Sequence, residues 1–135
     1  MGRHFVASIG SHCVLEIYDS PRALLDDPTA VIRALEHAAH AARATLLQTT
    51  HHRFTPQGIT ALALLAESHI SVHTWPEKGY AACDVFTCGP TTLPEAACMA
   101  LVRAFESPRY FMRRFPRGEQ LAAPVLHLRT GSDLA

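Results

Sequence analysis

Residues 59–89, ITALALLAESHISVHTWPEKGYAACDVFTCG, decide the architecture. Ile59 to Ala66 is a continuous apolar run of strand length, which predicts a strand buried on both faces. Ile70 to Trp75 alternates and is rich in β-branched residues, so it predicts a second strand. Pro76 to Gly79 reads as a turn, and Tyr80 to Thr87 as a third strand closed by Cys88-Gly89-Pro90. The breaks between these runs leave no room for a crossover helix, so the strands are expected to be antiparallel neighbours.

Working outward, Asp27-Pro28 is a helix start, with Asp as N-cap and Pro at the first helical position. Val31, Leu35, Ala38, Ala39 and Ala42 then recur at helical spacing and predict an amphipathic helix over 28–43. Pro94 opens a second helix over 94–106, with Ala97, Leu101 and Phe105 on its apolar face. Further strands are predicted at 13–18 (CVLEIY), 45–50 and 109–115, with a turn at Thr55-Pro56-Gln57-Gly58. Pro116 onward reads as a loose tail in which Val125 to Leu128 could add an edge strand. Two helices and several strands give the α+β class: a two-layer α/β sandwich, a largely antiparallel sheet with helices on one face.

The chain has 135 residues, nearly half of them apolar, which fits a single domain over 1–135. A chain this short buries a smaller share of its surface than a large enzyme does, which makes association with a second copy physically reasonable. Twelve basic and twelve acidic side chains cancel, so no electrostatic footprint points to nucleic acid or to an anionic membrane. No apolar run approaches the roughly 20 residues of a membrane span, and Met1 to Gly10 is too short and polar for a secretory signal. Cys13, Cys83, Cys88 and Cys98 form no CxxC pair and read as free thiols, as expected of a cytoplasmic protein.

The stretch from Ala66 to Gly89 concentrates Glu, Ser, His and Cys in a span built for strands. As a zinc site it fails on spacing. His69 and His73 share a strand face, but Cys83 and Cys88 are five apart and fall on opposite faces. No metal is therefore assigned. A Ser-His or Cys-His hydrolase has the right residue types but lacks a GxSxG elbow.

The string ESHISVHTWPE (67–77), followed by GYAACDVFTCG (79–89), resembles the pyruvoyl-type S-adenosylmethionine decarboxylases of bacteria and archaea. Gly10-Ser11-His12 with Glu16 and Tyr18 is similar to that family's opening, and His52-Arg53-Phe54-Thr55-Pro56-Gln57-Gly58 to its HRF-x-P-x-G turn. The likeness runs over residues 10–89 without a gap. It implies a zymogen that cuts itself between Glu67 and Ser68, leaving 1–67 and 68–135. The Ser68 hydroxyl would attack the Glu67 carbonyl, and elimination and hydrolysis would then leave a covalent pyruvoyl group at position 68. The resemblance assigns help in processing to His73 and to Thr60, which keeps the hydroxyl where many members have Ser. An imidazole titrating near neutrality suits proton transfer.

The pyruvoyl cofactor would form a Schiff base with the substrate amine and accept the electrons released with carbon dioxide. The resemblance places the proton-donating acid at Cys88, adenine stacking at Phe54, and the ribose hydroxyls on Glu77, whose carboxylate can accept two hydrogen bonds. The product would be the aminopropyl donor for spermidine, in polyamine biosynthesis. Taken singly, each of these residues has a plainer reading: a strand-edge serine, a structural histidine, a core phenylalanine, a solvated turn glutamate. Cys83, Cys13 and Cys98 read as packing residues, and Arg113-Arg114 as a solvated face.

Three departures stand out: Ser11 replaces an arginine, which the earlier Gly2-Arg3-His4 string sits at the wrong distance to supply, Thr60 stands where many members have Ser, and Lys78 replaces a common aromatic. Two alternatives stay open, a pyruvoyl-dependent decarboxylase of arginine or ornithine and an unprocessed regulatory relative. On a regular strand Ser68 and His73 point to opposite faces. Either the scissile bond lies in a strained turn, or the site is shared across the homodimer that the resemblance implies.

Overall fold

The computed structural model describes residues 8–118. The elements run β1 (Gly10–Tyr18), α1 (Arg22–Leu25), α2 (Pro28–Ala41), β2 (Leu46–Arg53), β3 (Ile59–Leu65), β4 (Ser68–Trp75), a 3₁₀ turn (Pro76–Lys78), β5 (Tyr80–Cys88), α3 (Pro94–Ala104) and β6 (Arg109–Arg117). The six strands form one sheet in the order β2-β3-β4-β5-β1-β6, and every neighbouring pair is antiparallel. The α+β sandwich expected from the sequence is the fold observed.

Period-two alternation decides which face is covered. Cys13, Leu15 and Ile17 of β1, Ile59, Ala61, Ala63 and Leu65 of β3, Ile70 and Val72 of β4, and Ala81, Cys83 and Val85 of β5 are all buried. They meet Val31, Leu35 and Ala38 of α2, Ala97 and Leu101 of α3, and Phe105 at its C-cap in one core. The N-cap of α2 is as expected: the Asp27 side chain accepts from the Thr29 N–H, and Pro28 follows. Thr74 stitches the layers, since its buried hydroxyl accepts from the Ile59 N–H at 2.9 Å and donates to the Leu25 carbonyl at 2.8 Å.

Among the described residues, no helix covers the opposite face. β3 was expected to be buried on both faces, and the structure corrects this: Leu62 and Leu64 stand 41% and 51% exposed on the uncovered side. Val14, Phe111 and Phe115 extend that apolar surface across β1 and β6. Smaller corrections share one cause. β1, β2, β4 and β6 outrun their predicted ends through short or polar residues (Gly10–His12, His51–Arg53, Ser68-His69, Pro116-Arg117), which pair in the sheet although their side chains carry no strand signal. Pro116 and Arg117, expected in a loose tail, belong to β6, while Val125 to Leu128, like Gly2-Arg3-His4, lies outside the described residues. Arg114 is not merely solvated: it donates to Glu95 and to Ser11, both at 2.6 Å.

Candidate functional site

Ser68 follows the tightest connection in the sheet. Leu65 pairs with Ser68, so only Ala66 and Glu67 join β3 to β4. Such two-residue links match the strand twist best when their own residues take positive φ. Neither does here; the positive φ falls on Ser68, at +146°, a region that L-residues rarely occupy. The break in regular geometry brings the Ser68 Oγ to 3.6 Å from the Cys88 Sγ. The Cys88 N–H donates to the Glu67 carbonyl at 3.0 Å, so the carbonyl that the serine would attack is already hydrogen-bonded. Cys83, by contrast, is buried in the core, and burial raises its thiol well above the ordinary value.

A second cluster forms at the far end of β3 and β4. Thr60 and His73 are cross-strand partners, and the Thr60 Oγ1 lies 3.0 Å from the His73 Nδ1. They line a cleft of about 280 Å³ together with Phe54, Gly58, Trp75 and Glu77. Phe54 is half exposed and packed edge-on against His52 at 4.7 Å between ring centres. Trp75 was not singled out in the sequence. Its exposure and its stack on Tyr80, at 5.4 Å, make it part of the same wall.

The two clusters do not meet within one chain. Ser68 and His73 are five positions apart on an extended strand, about 17 Å at the usual rise. The residues that the resemblance assigns to a site thus fall into two half-sites within one chain: Ser68, Glu67 and Cys88 at one end of β4, and Thr60, His73, Phe54 and Glu77 at the other.

Residues 11–118 match the family model described as S-adenosylmethionine decarboxylase. The chain belongs to the S-adenosylmethionine decarboxylase family. It is 53% identical over 118 residues to the S-adenosylmethionine decarboxylase proenzyme of Synechococcus sp. (strain WH7803), covering 87% of this chain and 92% of that one. It is 48% identical over 103 residues to the proenzyme so named from the archaeon Methanococcus aeolicus, covering 76% and 87%. The crystal structure of the adenosylmethionine decarboxylase from Aquifex aeolicus VF5 superposes with a TM-score of 0.79 at 30% identity, over 89% of this chain and 99% of that one.

Beside the first half-site, this family member carries a polar network that the sequence reading did not assign. Asp84 of β5 accepts from the Nε2 of His12 and of His69, each at 2.7 Å, and from the Ser71 hydroxyl. The four side chains meet because His69, Ser71, Asp84 and His12 all alternate onto the open face of adjacent strands. Burial works to raise the Asp84 carboxyl, but the bonds from Ser71, His69 and His12 outweigh it and hold the group below its ordinary value. The trio has the spacing of a metal-ligand set. However, the Arg117 guanidinium donates to the His12 Nδ1 at 2.8 Å. Arginine has no acceptor, so the His12 proton sits on Nε2, where it points to Asp84 and leaves no lone pair for a cation. Nothing in the spacing of residues 12, 69, 71 and 84 signals this network; only the strand register reveals it.

Proposed function

We propose that the chain is a self-processing S-adenosylmethionine decarboxylase whose cofactor is made from Ser68. The observation that carries this reading is the scissile geometry: a serine held at φ +146°, beside Cys88, with the preceding carbonyl bonded to the Cys88 N–H. In the first step the Ser68 Oγ bonds to the Glu67 carbonyl carbon, the peptide C–N bond breaks, and the hydroxyl proton ends on the Ser68 nitrogen. A base then removes the Ser68 α-proton, and the ester is eliminated as the Glu67 carboxylate, leaving dehydroalanine at position 68; water adds to its imine tautomer and ammonia leaves, which gives the pyruvoyl ketone. His73, its ring steadied by Thr60, is the base this reading assigns. A half-buried serine directly after a two-residue connection, with a thiol at its side, suits the residue that becomes the pyruvoyl group. That group, once formed, supplies a ketone that binds the substrate amine and withdraws electrons as carbon dioxide leaves. Cys88 is placed to deliver a proton to the former α-carbon. Phe54, with Trp75 beside it, offers a face to adenine, and Glu77 two acceptor oxygens to the ribose diol.

The reading requires a second copy. Strand rise keeps Ser68 and His73 about 17 Å apart in one chain. A two-fold axis lying between two open faces and running across the strands would reverse strand direction. It would thereby lay the Ser68 end of one β4 over the His73 end of the other. The exposed Leu62, Leu64, Phe111 and Phe115 give those faces apolar surface to bury. Four unbridged thiols suit the reducing cytoplasm.

Replacing Ser68 with Ala tests the mechanism. The variant is expected to remain one chain by intact mass and to release no carbon dioxide from S-adenosylmethionine. Wild-type turnover by Ser68→Ala protein would overturn the reading.

A further inference from the structure

Three donors from two separate segments hold Glu67, the residue that loses its peptide bond. The Cys88 N–H binds its carbonyl. Its carboxylate accepts from the Thr45 N–H at 2.9 Å and faces the Thr45 hydroxyl at 3.3 Å. The Thr45 carbonyl, in turn, accepts from the Ala66 N–H at 2.9 Å. The segment entering β2 and the β3–β4 turn are thus tied in both directions, one residue before the strained Ser68.

We propose that Thr45 is a positioning residue for self-cleavage, acting through the Glu67 carboxylate to hold the 67–68 peptide in its reactive conformation; this rests on the self-processing reading above. A two-residue turn with no positive φ of its own relaxes most easily by rotating the peptide that follows it. That rotation would let Ser68 leave φ +146° and carry the Glu67 carbonyl off the Cys88 N–H. The Thr45 tie anchors the side chain of the residue that must rotate. The cost of the strain is met by contacts outside the reacting atoms, as strained functional backbones require. Cleavage is an internal acyl shift: the C–O bond to Ser68 forms, the C–N bond breaks, the proton passes to nitrogen, and no co-reactant is consumed.

The test follows freshly translated chain by intact mass. It compares cleavage half-times for wild type, Glu67→Ala, Glu67→Gln, Thr45→Val and Thr45→Val/Glu67→Ala. Glu67→Ala is expected to slow cleavage roughly 10- to 100-fold, as loss of reactive geometry does. Glu67→Gln, which keeps one acceptor oxygen, should recover most of the rate. Thr45→Val should slow cleavage several-fold in the wild type and add nothing to Glu67→Ala. In a Ser68→Ala background, which cannot cleave, the same substitutions should melt close to their parent, separating positioning from folding. Wild-type cleavage by Glu67→Ala would overturn the inference, as would additive effects of Thr45→Val and Glu67→Ala. If Glu67→Ala fails to fold, Thr45→Val and Glu67→Gln decide it, and wild-type rates in both overturn it. Wild-type chain that never cleaves overturns the self-processing reading beneath it, and the inference with it.

Discussion

Cys83 and Cys88 lie on the same strand, yet their surroundings give them opposite prospects. Cys83 packs in the core, where burial raises its thiol and keeps it neutral. Cys88 sits half-buried at the strand end beside the Ser68 hydroxyl. Cys88→Ala is therefore expected to self-cleave while its turnover falls by about 10² to 10⁴-fold, the usual weight of a lost general acid. Cys83→Ala should lose about 1 kcal/mol or somewhat more of stability to a small cavity and keep its turnover. Carbon dioxide release and intact mass read both, and normal product from Cys88→Ala would assign the acid elsewhere. At this scale the sequence was informative about identity and silent about conformation. The run around Glu67-Ser68 pointed to the family through its resemblance, but no residue type announces a serine at positive φ. The same limit hid Asp84, since its value depends on which strands flank β5.

Among the elements, the central strands were legible because their apolar residues recur at the right period, and α2 because Asp27-Pro28 marks its start. What escaped was set by pairing rather than by side chains. The single-turn α1 is too short to leave a periodic signal. The polar ends of β1, β2, β4 and β6 are strands because neighbours supply their hydrogen bonds. Thr74 shows how much one buried hydroxyl can join: Ile59 at the start of β3 and Leu25 at the end of α1 both bond to it. Thr74→Val keeps the shape and removes both bonds, leaving a buried N–H unpaired. The expected loss is about 1–3 kcal/mol, read by urea unfolding in the Ser68→Ala background so that cleavage does not intrude. An unchanged midpoint would mean that the Ile59 N–H finds another acceptor.

For the molecule as a whole, the proposed reading turns on the sheet face that the described helices leave uncovered, since strand rise separates Ser68 from His73 in one chain and that face offers apolar surface through which two copies would unite them. Leu64→Asp should place a charge in that surface, shift the protein toward monomer in light scattering, and depress turnover with it; an unchanged mass would argue against this face as the contact. The Asp84 network adds a pH signature. Its folded pKa lies below the unfolded one, so its contribution to stability is full above roughly pH 4 and fades as pH falls through the folded value. Asp84→Asn should therefore be less stable at pH 7 and lose less on acidification, measured as melting temperature against pH. The central claim remains the cut at Glu67-Ser68. It is tested most directly by intact-mass spectrometry of the purified protein, incubated with a mild imine reductant and, in separate tubes, S-adenosylmethionine, arginine or ornithine. The account predicts two fragments meeting between residues 67 and 68, with an S-adenosylmethionine-derived adduct on the later one. A single uncut chain that traps none of the three, after prolonged incubation, would contradict it.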